Sequence, residues 1–177
     1  MDTKTIRHVY LAVIGMIILS FVPNIWASLL AVFAFFGVLI AAYVIRSEAD
    51  RGDLVRNHMT YIIATLWAGS FVMLLGMIAS SAVLLKGLDH APLMSCLEPL
   101  VGAAQNGDVE RVTAELNNVH ALIQPCWESY WIINARTIIL AAAITIGPTL
   151  AYFGWRIFRG LHLSARGENF AKPKRWI

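Results

Sequence analysis

Histidine and cysteine are the residue types in this sequence that could support redox or cofactor chemistry. His8, His58 and His162 each stand near one end of an apolar run, and helix bundles can bind haem between histidines from two helices. We interpret these three as polar residues at the level of the lipid headgroups. The alternative is a membrane redox protein that uses haem bound by histidines or a thiol pair formed by cysteines.

The two cysteines lie about 30 residues apart, and they bracket two predicted helices. A thiol redox centre normally uses a Cys-x-x-Cys pair with a lowered thiol pKa, and Cys96 and Cys126 do not form such a pair. We therefore predict a structural disulfide, which is typical of an oxidising compartment. Closing a loop of about 30 residues contributes roughly 3–4 kcal/mol to stability.

Other signals of catalysis are absent from the sequence. It contains no nucleophile elbow, glycine-rich phosphate loop, metalloprotease helix or paired carboxylates. His90 and His120 lack the spacing of metal ligands. We expect no enzymatic activity, no metal site and no cofactor.

The composition places the chain among membrane proteins. Its 177 residues are 58% hydrophobic and 14% charged, with a mean hydropathy of +0.65, whereas soluble domains carry about 25% charged residues. The net charge of +3 comes from basic residues at the ends of apolar runs. This arrangement predicts contact with a lipid bilayer and argues against nucleic-acid binding.

Four apolar runs predict membrane-spanning helices at about residues 6–22, 25–45, 59–85 and 131–158. We interpret the first as a helix and not as a cleaved signal peptide, because no small-x-small cleavage site follows it. Small residues, which permit close packing in lipid, recur at helical spacing at Ala27, Ala31, Ala34, Ala41, Thr65, Gly69, Gly76, Ser80, Ala142, Thr145, Thr149 and Gly154. We predict a single all-α membrane domain over residues 1–177, built as a four-helix bundle.

The distribution of basic residues predicts the orientation. Most of the 14 Lys and Arg precede the first run, follow the fourth or lie in the interruption at 46–58, and only Lys86, Arg111 and Arg136 fall on the other side. Since Lys and Arg accumulate on the cytoplasmic side, both termini and a basic tail at 160–177 are predicted there. We expect a multi-pass protein of the bacterial inner membrane.

Residues 87–130 are predicted to form a periplasmic helical hairpin between spans 3 and 4. A turn at Asn106-Gly107 separates its two amphipathic helices, and Asp108 can cap the second. Beyond the hairpin, Arg136 is a charge inside the fourth predicted span. We interpret it as snorkelling to the outer interface, with a substrate or proton role as the alternative.

Two stretches, "YVIRSEADRGDLVRNHMTYIIATLWAG" and "AYFGWRIFRGLHLSARGENF", resemble a group of small uncharacterised bacterial inner-membrane proteins with a domain of unknown function. This group is related loosely to the chloroplast import component Tic-twenty and to a magnetosome membrane protein. The matching positions are Tyr43, Arg46, His58, Tyr61, Trp67, Trp155, Arg156, Arg159, Gly160, Leu163 and Gly167. The chain departs from the pattern at Ala64 and in the additional hairpin, and the resemblance implies a class of protein without an agreed activity.

The two matching stretches are predicted to meet at the cytoplasmic surface. Nine residues form a polar group there, called the cytoplasmic cluster below: Arg46, Glu48, Asp50, Asp53, Arg56, His58, Arg156, Arg159 and His162. We predict a non-catalytic accessory or assembly subunit that uses this cluster to bind anionic lipid, a membrane-protein partner or a second copy of itself. A small oligomeric channel or carrier is the alternative.

Overall fold

The computed structural model describes residues 3–22 and 24–174, and these residues form helices and short connections without a strand. The all-α prediction is therefore confirmed for this part of the chain. The helices are α1 (Thr3–Ser20), α2 (Ile25–Glu48), α3 (Leu54–Gly87), α4 (Ala91–Gln105), α5 (Val109–Asn117) and α6 (Val119–Arg166).

Within the described residues, three helices are long and apolar enough to cross a membrane: α2, α3 and α6. Each contains one of the predicted spans. The remaining predicted span, 6–22, overlaps α1, which has 18 residues and is not among these three. The four-helix bundle accordingly stays a prediction.

The charged interruption between the second and third apolar runs is a tight connection. α2 continues to Glu48, and α3 begins at Leu54. Gly52 has φ of 95°, a conformation that side chains with a Cβ rarely adopt. The N–H of Val55 donates to Oδ1 of Asp53 at 3.4 Å, so Asp53 satisfies one of the unpaired donors at the start of α3.

The predicted hairpin segment contains α4 and α5, which pack against each other. Gly107 has φ of 69°, and Oδ1 of Asp108 accepts the N–H of Arg111 at 3.0 Å at the start of α5. The last helix then begins at Val119, well before the predicted start of the fourth span at 131. Polar sequence can continue a helix beyond lipid, so the end of an apolar run does not mark the end of the helix.

The described residues divide into two compact units. Unit 1 comprises 3–22, 24–74 and 148–174, and unit 2 comprises 75–147. The hydrophobic core cluster lies in unit 1. It takes one face of α1, at Ile6, Tyr10 and Val13, where the spacing of three and four residues places side chains on one side of a helix.

Unit 2 pairs the end of α3 and then α4 with α6, in antiparallel order. Oγ1 of Thr145 donates to the Gly76 carbonyl oxygen at 3.2 Å, and Oγ1 of Thr137 donates to that of Gly87 at 3.1 Å. Further along the pairing, Cys96 and Cys126 lie at disulfide distance, as predicted, with their Cα atoms 6.3 Å apart.

Candidate functional site

The candidate site is built around the residues that follow α6, at 167–170, here called the strap. The N–H of Gly167 donates to the Ser164 carbonyl oxygen at 3.2 Å, and the N–H of Glu168 donates to that of Leu163 at 3.0 Å. Gly167 has φ of 67°. This is the Schellman pattern of helix termination. The strap that follows contacts Asn57, His58 and Tyr61 of α3.

Asn57 fixes the backbone of the strap. Its Oδ1 accepts the N–H of Phe170 at 2.8 Å, and its Nδ2 donates to the Phe170 carbonyl oxygen at 3.0 Å. The Phe170 ring is 5% exposed and stacks on Tyr61, with centroids 3.7 Å apart and planes inclined by 9°. Phe170 thus joins the strap to α3 by both its backbone and its side chain.

His58 connects the strap to the first helix. It is fully buried. Its Nε2 lies 3.1 Å from the Glu168 carbonyl oxygen, and its Nδ1 lies 3.2 Å from the Tyr10 hydroxyl. A carbonyl oxygen can only accept, so Nε2 carries a proton, and in the neutral ring Nδ1 then accepts from the Tyr10 hydroxyl. Both ring nitrogens of His58 are used in these contacts.

Arg156 lies on the other side of the Tyr61 ring. Its guanidinium carbon is 3.8 Å from the ring centroid, and because Phe170 stacks at a similar distance, the two must occupy opposite faces. Nε of Arg156 donates to Oγ1 of Thr65 at 3.0 Å, and the Tyr61 hydroxyl donates to the Arg156 carbonyl oxygen at 3.2 Å. The 3% exposed Arg156 gains cation–π stabilisation here.

Arg159 is the third member of the cytoplasmic cluster that reaches this site. It is exposed, and its guanidinium carbon lies 5.9 Å from the Phe170 ring centroid. Another cluster member, Arg56, is half-buried and donates from a terminal nitrogen to the Ala49 carbonyl oxygen at 2.9 Å. The structure therefore assembles His58, Arg156 and Arg159 with the strap, while Arg56 supports the connection before α3.

The other members of the cytoplasmic cluster lie outside these contacts. Glu48 and Asp50 are exposed, Arg46 and Asp53 are half-buried, and no salt bridge joins them to one another within the described ranges. His162 is exposed, and its ring stacks on Phe158 with centroids 6.2 Å apart. His8 is exposed on α1.

Arg136, the predicted intramembrane charge, lies in unit 2 and is exposed on the surface of α6. The basic tail is described only as far as Lys174. Its last three residues, including Arg175, lie outside the described residues.

One small cavity adjoins Arg156. Its lining residues are Tyr10, Val13, Ile62, Thr65, Leu66, Arg156 and Ile157. It has room for about one water molecule. This volume is too small for an organic substrate.

Three residues central to the site, Tyr10, Asn57 and Phe170, were not predicted as site residues. Asn57 and Phe170 are 113 residues apart in sequence, and nothing in a single sequence pairs them. One local signal exists: Gly167 is a typical helix stop, and the lone Phe170 follows it within a polar stretch. An aromatic residue in that position indicates an anchored segment.

The described residues hold no group of three or more His, Cys, Asp or Glu side chains that could bind a metal ion. Comparison of the chain with protein-family models, with curated proteins and with solved structures gives no match.

Proposed function

We propose that the protein is a non-catalytic accessory or assembly subunit of a membrane, which docks membrane components on the face formed by the cytoplasmic cluster and the strap. The proposed setting is the bacterial inner membrane. α1 would join α2, α3 and α6 as a fourth span, with both ends of this chain on the cytoplasmic side. The resemblance to small inner-membrane proteins of unknown function belongs to the same proposal.

The observation that carries the proposal is that the side chains most suited to chemistry, His58 and Arg156, contact other residues of the protein and not a substrate cavity. His58 engages both ring nitrogens in internal contacts, and Arg156 contacts Tyr61 and Thr65. A catalytic site would direct such groups toward a cavity that admits substrate, and the adjoining cavity takes about one water molecule. Groups used in this way stabilise a rigid surface, which favours docking over turnover.

The docking experiment compares two arginines. Arg46, in the cytoplasmic cluster, and Arg111, in α5, are both at least partly exposed, and no hydrogen bond from either side chain is present among the described residues. The full chain is cross-linked in native membranes and purified in mild detergent, with a second, differently tagged copy expressed to detect self-association. We expect Arg46→Glu to weaken a cross-linked complex at least tenfold, and Arg111→Glu to leave it intact.

Two outcomes would contradict the proposal. One is wild-type protein that cross-links to nothing and purifies as a monomer. The other is an equal loss of the complex in both variants, which would separate binding from the cytoplasmic cluster.

A further inference from the structure

The strap anchors the backbone just before the basic residues Lys172 and Lys174. Phe170 is buried and held by Asn57 and Tyr61. Lys172 follows two residues later, and Lys174 follows after Pro173. Both lysines are exposed. Proline restricts the backbone between them. Both lysines are therefore held within a few residues of Phe170, whose position is fixed by its packing in unit 1.

The sequence on both sides of this point carries mainly positive charge. Arg159 is exposed beside the Phe170 ring, and Arg166 is exposed at the end of α6. From Arg156 to Lys174 the only acidic residue is Glu168, and no salt bridge links it to these cations among the described residues. Exposed Lys and Arg side chains bind phosphate groups through charge-assisted hydrogen bonds.

A basic arm that is anchored loses less conformational freedom on binding than a free one. If a ligand binds better when the strap is docked, the same ligand must stabilise docking, because coupling between two sites is reciprocal. His58 bonds to Glu168 of the strap and to Tyr10 of α1. Ligand bound at the lysines would therefore also stabilise the attachment of α1.

We propose that Lys172, Lys174 and Arg159 form a site for anionic phospholipid headgroups, and that headgroup binding and docking of the strap on α3 stabilise each other. This inference rests on the proposed function, because it takes the cytoplasmic leaflet to lie at this end of the molecule. Anionic lipid attracts each nearby Lys or Arg. Because the strap is anchored to α3, the basic residues beside it are held at defined positions, and the attraction becomes specific to this site.

The test uses the purified full chain in nanodiscs of phosphatidylcholine with or without phosphatidylglycerol. Thermal unfolding and the number of lipids retained in native mass spectrometry are measured. We expect phosphatidylglycerol to raise the melting temperature of the wild type. The double variant Lys172→Gln/Lys174→Gln should retain phosphatidylglycerol at least tenfold more weakly, while Lys86→Gln in α3 serves as the matched control and keeps wild-type retention.

Two further variants test the coupling, since they keep every basic residue. Phe170→Ala removes the buried ring that anchors the strap. Asn57→Ala removes two hydrogen bonds to the strap and is less disruptive to folding. The melting temperature of each variant in pure phosphatidylcholine shows whether it folds. Both should lose most of the stabilisation by phosphatidylglycerol. Full stabilisation in Asn57→Ala would overturn the coupling, and equal retention of both lipids by the wild type would overturn the site.

The two sets of measurements distinguish a lipid site at the strap from protein docking at the cytoplasmic cluster. If the lipid effects are absent while Arg46→Glu still abolishes a cross-linked complex, docking stands and the lipid site does not. If lipid binds as expected and no protein complex exists, the strap binds lipid without an assembly role.

Discussion

Among the described residues, the buried apolar side chains lie almost entirely in unit 1. The exceptions in unit 2 are two alanines, Ala103 and Ala141. Buried polar side chains divide in the same way: His58, Thr60, Thr65, Arg156 and Ser164 are in unit 1, and Asn134 is in unit 2. α5 buries no residue at all.

This contrast indicates that the two units are stabilised in different ways. Unit 1 uses a hydrophobic core in which buried Tyr, His and Arg side chains contact one another. Unit 2 uses close contacts to α6, from Gly76 to the backbone of Thr145 and from Gly87 to the Thr137 side chain, together with the Cys96–Cys126 pair. Because the hairpin buries so little surface, we expect its stability to depend on the disulfide.

The largest expected effect is in unit 2, where Cys96→Ser should destabilise the α4–α5 hairpin by about 3–4 kcal/mol. Amide hydrogen exchange followed by mass spectrometry should show faster exchange in α4 and α5 and unchanged exchange in α3 near His58. The double variant with Cys126→Ser should match the single variant, since either change breaks the same bond. Faster exchange around His58 would show that unit 1 also depends on the disulfide.

The next effect is in unit 1, where a methyl group at Gly69 would overlap the Phe153 ring. Overpacking of this kind costs about 1–3 kcal/mol, so Gly69→Ala should lower the melting temperature and accelerate exchange around His58. Gly154→Ala, in α6 next to Phe153, is the matched control, because nothing lies within 4 Å of an added Cβ there. Equal melting of the two variants would contradict the packing described for this core.

The helices and their caps follow from local sequence, whereas the site does not. Asp53 and Asp108 cap helices because a carboxylate there satisfies free backbone donors within three residues. His58 and His162 show the limit: both are histidines near the ends of apolar runs, yet one is fully buried and the other is exposed. What separates them is tertiary packing, because His58 contacts Tyr10 of α1 and Glu168 and Phe170 of the strap.

The disulfide could be predicted because two cysteines leave a single intrachain pairing. Contacts within the nine-residue cytoplasmic cluster could not be predicted, since charge pattern indicates which side of a membrane residues occupy and not which of them touch. Tyr61 contacts Arg156 and Phe170 across about a hundred residues of chain. Such contacts depend on how α1, α3 and α6 pack.

The smallest effect tests Asn134, the one buried polar side chain among the described residues of unit 2. Asn134 accepts the Asp89 N–H at 2.7 Å and donates to the carbonyl oxygens of Asp89 and Tyr130 at 2.9 and 3.0 Å. Asp89 is exposed, so water can replace part of these bonds, and Asn134→Ala should cost about 1 kcal/mol.

Hydrogen exchange at Asp89 and the start of α4 should therefore increase severalfold, while exchange in α3 near His58 stays constant. Asn118→Ala is the control, because Asn118 is exposed and its side chain makes no hydrogen bond within the described residues. If Asn134→Ala accelerates exchange as much as Cys96→Ser does, the Asn134 hydrogen bonds contribute as much to the stability of unit 2 as the disulfide, which would contradict this order of effects.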